Sequence, residues 1–182
     1  MTPPEMALAR RKAVARAVAG RSRVGGLALL DEPDGALEVV VSSWMPRPAA
    51  EVVAFCLQRE NFVAIMPDRM QVLWCSTEVG ELGGTYRFRW WLRDVVPITW
   101  VAFVDDHEAG QGFSDQQVRG PFRYFHHTHT AVDEGTGSRY TDTLRLVGPL
   151  GTRADRVLVR PLLRRTFRER HRRMRRLLRE QR

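Results

Sequence analysis

The sequence predicts an α+β fold, in which a curved antiparallel sheet of about seven strands wraps around one long C-terminal helix. Two short helices are expected after the first strand. Three observations carry this expectation. Period-two alternation of apolar and polar residues recurs through most of the middle of the chain, in segments separated by Gly- and Pro-bearing turns. An apolar stretch at Ala49–Gln58 breaks that alternation with helical spacing. The last stretch of about 25 residues repeats Val159, Leu163, Phe167, Met174 and Leu178 near period 3.6, with Arg170 or His171 in the same narrow stripe.

The elements follow in order. Residues 1–35 read as an N-terminal extension, loosely ordered or a short Ala- and Arg-rich helix within 6–25, and end in the turn-rich Asp31–Gly35. Leu37, Val39 and Val41 alternate with polar neighbours in a first strand that Pro46 and Pro48 stop. Val52, Val53, Phe55 and Cys56 suit a short helix, and Asn61 to Pro67 a second helical turn. Met70 to Thr77 is a strand, and Gly80 to Gly84 a turn. Tyr86, Phe88, Trp90 and Leu92 then alternate with Arg87, Arg89, Trp91 and Arg93, the second set reading as the solvated side. Ile98, Trp100, Ala102 and Val104 share one side of the next strand, opened by Pro97. Three more strands follow, and Pro149-Leu150-Gly151 closes the sheet. Pro161 is tolerable in a first helical turn and would kink the helix elsewhere. An aromatic sheet face must be covered, and the long helix is the only element large enough to do it. A sheet bent around one helix leaves a hollow, which predicts a ligand pocket in a domain spanning 36–182.

A chain of 182 residues with 43% hydrophobic and 27% charged side chains has the composition of a globular domain. The formal net charge of +8 resembles a nucleic-acid signal until it is located. From Arg160 onward eleven arginines face only Glu169 and Glu180, whereas residues 36–159 carry twelve basic and fifteen acidic groups. The body is slightly acidic and the C-terminal rod basic. Cys56 and Cys75 lack metal-site spacing and read as two reduced thiols in a cytoplasm. No apolar run approaches the ~20 residues of a membrane span.

The chemistry concentrates between Gln111 and Leu146. In an extended strand Phe125, His127, His129 and Ala131 share one side, and Tyr124, His126, Thr128 and Thr130 the other. Phe113, Asp115 and Gln117 alternate in the preceding strand, and Tyr140, Asp142, Leu144 and Leu146 in the following one. Folding the three into a meander brings two imidazoles and two carboxylates together among aromatics.

This element order and these residues resemble the START-like or SRPBCC superfamily, whose members share the helix-grip fold. The nearer resemblance is to its bacterial ligand-binding, polyketide-cyclase-like branch. The matching positions are Asn61, Pro67, Trp100, then Phe113, Asp115, Gln117, Gly120, Pro121, Phe122, His127 and His129, then Asp142, with Arg170 after Phe167 in the helix. Phe125 stands where the pattern usually has Trp. The resemblance covers about residues 36–180 and implies no metal or cofactor.

Three readings of Asp115, His127, His129 and Asp142 compete. One is a buried, mutually hydrogen-bonded knot that fixes strand register. Another is a polar anchor orienting an otherwise apolar ligand, with Trp100, Phe113 and Phe125 beside it. The third is a metal site, against which the face offers no Cys or third His. An enzymatic version would pair His127 or His129 with Asp115 or Asp142 as acid and base, the carboxylates raising the imidazole pKa toward working pH, as in an aromatase or cyclase. No Ser, Cys or Lys nucleophile stands nearby, so covalent catalysis is not supported. Arg164, Arg165, Arg168, Arg172, Arg173, Arg175, Arg176 and Arg179 fall on the outer arc of the helix. A solvated face is the ordinary explanation. Contact with an anionic membrane surface or RNA is the functional one. The expected function is therefore binding, or binding and transfer, of a hydrophobic lipid-like or polyketide-like molecule, with a cyclase-type enzyme or a ribosome- or membrane-associated regulator as alternatives.

Overall fold

A computed structural model describes residues 29–77 and 81–180. Strand β1 (Leu37–Met45) leads into helices α1 (Ala49–Leu57) and α2 (Arg59–Ile65). Six strands follow: β2 (Met70–Cys75), β3 (Thr85–Leu92), β4 (Val96–Glu108), β5 (Gly112–Arg119), β6 (Tyr124–Glu134) and β7 (Gly137–Val147). Each of these pairs antiparallel with the next, and β1 returns beside β7. The resulting order is β1-β7-β6-β5-β4-β3-β2. The long helix α3 (Arg160–Glu180) lies against the sheet. The architecture is the one the alternation and the 3.6-residue stripe predict.

Local chemistry explains the turns. Arg93 and Asp94 both take positive φ, 52° and 59°, between β3 and β4. Two consecutive left-handed residues give the turn whose twist matches flanking strands, and Asp94 is anchored there by accepting the Arg69 N–H at 2.6 Å. The apolar face of the sheet forms one core with Leu163 and Phe167 of α3. A second core joins α1 to Tyr140, Met174 and Leu178.

Two features differ from the sequence expectation. Helical structure begins at Thr152 and passes through a π-turn at Asp155–Val159 before α3. Pro161 therefore sits inside a continuous helical run. It supplies no N–H and its ring presses on the carbonyl one turn back. The wider turn just before it relieves both demands. The arginines of α3 also do not all face solvent. Arg173 donates to the carbonyls of Met66 (2.6 Å) and Pro67 (3.2 Å), and Arg175 to that of Trp44 (2.9 Å). These two clamp the helix to the rest of the domain. Arg164, Arg165, Arg168, Arg172, Arg176 and Arg179 remain exposed or half-exposed.

The helix expected within 6–25 lies outside the described residues, as does the start of the Gly80–Gly84 turn. Just before β1 the chain runs over the outer sheet face. There Leu30 exchanges two 2.7 Å hydrogen bonds with the Gln116 amide, and Glu32 pairs with Arg145. Among the described residues no helix is long and apolar enough to cross a membrane.

Candidate functional site

Strand register assembles the site. Asp115 lies opposite His127 and Phe113 opposite His129 across β5 and β6. His129 in turn lies opposite Asp142 across β6 and β7. Because side chains alternate, all of these project to the face that α3 covers. The His129 ring stacks on Phe113 with centroids 4.0 Å apart, and His127 meets Phe167 of α3 edge-on at 5.0 Å.

Asp142 is the hub, fully buried at 0% exposure. Its Oδ1 faces His127 Nε2, His129 Nδ1 and the Tyr140 hydroxyl, each at 3.0 Å. Its Oδ2 accepts from Arg170 at 2.5 Å and faces His171 Nε2 at 2.9 Å. His171 Nδ1 reaches the Ser43 hydroxyl on β1 at 3.0 Å. One carboxylate thus ties β1, β6 and β7 to the helix.

The electrostatics follow from that geometry. Burial alone would raise the Asp142 pKa, but the Arg170 guanidinium, with His127 and His129, holds it well below the usual carboxylate range. Burial likewise opposes the charge on Arg170, and Asp142 overrides it, keeping the guanidinium charged. His127 behaves otherwise than its carboxylate neighbours suggest. Burial, reinforced by the adjacent His129, outweighs the attraction of Asp142 and lowers its pKa from 6.5 to about 4. At neutral pH His127 is an uncharged imidazole, which corrects the expectation of a raised value. Burial also pushes the Cys56 thiol up to about 11.

In front of the imidazoles lies a cavity of about 120 Å³ between sheet and helix. Its wall is mostly apolar, including Trp100, Phe113, Phe125 and Leu163, and its polar members are Tyr86, Asp115, His127, His129, Thr166 and Arg170. Six of the seven residues singled out from sequence thus line one hollow. Asp142 does not; it stands behind the histidines. Asp115 Oδ2 is 3.9 Å from His127 Nδ1 and 3.5 Å from His129 Nε2. One ligand-type atom from each of the three lies within 4.8 Å of the others, so among the described residues these three could hold a metal ion.

Other motif positions do structural work. The Gln117 side-chain amide donates to the Phe122 carbonyl (2.7 Å) and its oxygen accepts the Phe122 N–H (3.3 Å), fixing the β5–β6 connection. A Cβ on Gly120 would fall 2.2 Å from that oxygen, so glycine is what lets the clamp close. Asn61 donates to the carbonyl of Phe55 (3.1 Å) and the Gln58 side chain (2.8 Å), joining α1 to α2. Sequence reasoning left Tyr140, His171 and Ser43 out of the site, and gave Arg170 no role there. A third histidine does reach the cluster, from the helix rather than the strand. The polar pair Arg170-His171 interrupting an apolar stripe is the signal that could have found it. On the opposite sheet face His126 and Asp105 form a separate pair at 3.0 Å.

No family model matches the chain, and no curated protein matches it either. Solved structures do. Protein NE0264 from Nitrosomonas europaea aligns with a TM-score of 0.64 at 12% identity, over 81% of this chain and 97% of that one. Protein TTHA0849 from Thermus thermophilus aligns at 0.62 and 18% identity, over 78% and 97%. The structure of Ara h 8.0201 aligns at 0.58 and 10% identity, over 79% and 97%. These identities speak to the fold alone, and with the sheet order and the seated helix they establish it: the chain has the helix-grip fold.

Proposed function

We propose that residues 36–182 form a ligand-binding domain of the START-like, polyketide-cyclase-like kind, which holds a hydrophobic small molecule, lipid-like or polyketide-like, between the sheet and α3. One observation carries this reading, a mostly apolar cavity whose carboxylate, imidazole and guanidinium groups are those of Asp115, His127, His129 and Arg170. Apolar walls supply affinity and a small convergent polar set supplies orientation. Binding is favoured over cyclase chemistry with His127 as the base, because an imidazole held at about 4 is a weak base at neutral pH. Two cysteines without metal-site spacing suit a reducing cytoplasm.

The test is native mass spectrometry together with displacement of an apolar fluorescent dye. Wild-type protein takes up one apolar molecule per chain. Thr166→Trp, which places an indole at a half-buried position of the cavity wall, lowers dye affinity at least tenfold while far-UV circular dichroism stays unchanged. Absence of uptake by the folded wild type would refute the reading. The exposed arginine arc supports a secondary role in contacting an anionic membrane surface or RNA, to be checked by salt-dependent pelleting with liposomes and ribosomes.

A further inference from the structure

We propose that Asp115, His127 and His129 form a three-ligand site for a divalent transition-metal ion of the zinc type, with its fourth position open to the cavity. Hydrogen bonds behind the histidines orient their rings for this role, whatever apolar ligand the cavity holds.

Asp142, ionised and paired with Arg170, can only accept hydrogen bonds. His127 Nε2, whose partner is Asp142 at 3.0 Å, therefore carries that ring's hydrogen, while His129 Nδ1 lies between Asp142 at 3.0 Å and the Tyr140 hydroxyl at 2.7 Å. The other two ring nitrogens are His127 Nδ1 and His129 Nε2. Both atoms face the same oxygen, Asp115 Oδ2, at 3.9 and 3.5 Å. Two imidazole nitrogens and a carboxylate oxygen thus converge on one place.

The dimensions suit a small ion. Zinc-to-ligand distances of about 2.0–2.1 Å place tetrahedral ligand atoms about 3.4 Å apart. The two edges to Asp115, at 3.5 and 3.9 Å, exceed that spacing by about 0.1 and about 0.5 Å, and the third lies inside 4.8 Å. Two imidazoles and one carboxylate leave one position vacant, the pattern of zinc sites that keep a water or substrate atom in their coordination shell. Nitrogen donors disfavour magnesium and calcium, which take oxygen ligands. The supporting shell is also built. Metal-ligating histidines ordinarily give their second nitrogen to a carboxylate, which fixes ring and tautomer. Asp142 does this for His127 and shares the place behind His129 with the Tyr140 hydroxyl, and is itself held by Arg170 and His171. The apolar walls then present the vacant position to an oxygen donor on a cavity ligand rather than to bulk water.

The experiment uses the full chain stripped with a chelator and titrated with Zn2+ or Co2+ alone. One equivalent binds, and the Co2+ form shows the intense visible absorption of four-coordinate cobalt. Asp115→Asn, at a partly exposed position outside the hydrogen-bonded hub, weakens Zn2+ affinity at least tenfold with unchanged circular dichroism. His129→Gln does the same where it folds. The proposal is overturned if folded wild-type protein takes up no Zn2+ and gives no cobalt spectrum, or if Asp115→Asn binds as tightly as wild type. Apolar dye uptake is measured on the same samples, so loss of metal binding and loss of the cavity reading are separate results.

Discussion

Asp142 of β7 and Arg170 of α3 form a buried ion pair, 2.5 Å between Oδ2 and Nη1, across the interface between the sheet and its covering helix. Both side chains are almost fully shielded, at 0% and 3% exposure. Removing one member strands the other charge in a poorly hydrated interior. Arg170→Met and Asp142→Leu should each destabilise the domain by about 3–5 kcal/mol, measured by urea unfolding. The double replacement should cost less than the sum of the two singles, because it leaves no unpaired charge.

Acid should weaken the domain in two stages. His127 binds its proton at about 4 when folded, against 6.5 for the ordinary side chain, so the unfolded chain is the better proton acceptor between those values. Its contribution is full above pH 6.5 and is lost as pH falls toward 4. Asp142, whose folded pKa is depressed, adds a further loss below its ordinary value near 3.8. The groups facing His127 are Asp142, His129 and Asp115 from the sheet, while α3 presents the Phe167 ring. Urea midpoints from pH 8 to about pH 2 check this. His127→Gln should flatten the slope between 6.5 and 4.

Two arginines of one helix should behave differently. Arg173→Ala removes donors to the Met66 and Pro67 carbonyls and should cost about 1–3 kcal/mol. Arg176→Ala, at an exposed position, should stay within about 0.5 kcal/mol of wild type. Thermal melts of the pair separate clamp from solvated face.

The two thiols should react at different rates. Cys56 is buried with its pKa raised to about 11, so little thiolate is available at pH 8. Cys75 is partly exposed and lines the cavity. Maleimide labelling followed by mass spectrometry should modify Cys75 first and reach Cys56 only on unfolding. An apolar molecule in the cavity should slow the first reaction.

The sheet was legible because alternation constrains every residue of a strand. His127 and His129 cannot share a face without Phe125 and Ala131, and burial of all four agrees. The turns named their own strands. The helix-to-sheet register was not legible in that way. Arg170 and His171 lie 28 and 29 residues from the carboxylate they bind, and no periodicity relates a helix to the strand beneath it. The arginine arc failed in two places for a related reason. Helical geometry gives the angle of Arg173 and Arg175 about the axis, while only the packed domain shows that carbonyls of Met66, Pro67 and Trp44 wait at those angles. The histidine pKa was misjudged because charge neighbours are visible in a sequence and desolvation is not.

A rod resting on a greasy floor has little to stop it sliding, since one methyl group substitutes readily for another. The doubly engaged carboxylate beneath α3 acts as a detent. Slipping the rod by one position toward either end would bring Glu169 or Arg172 toward the place where Arg170 and His171 now dock, exchanging attraction for repulsion or losing the imidazole. The hollow beside that notch thus lies between a sheet and a helix whose mutual register is fixed by a charge and not by grease alone.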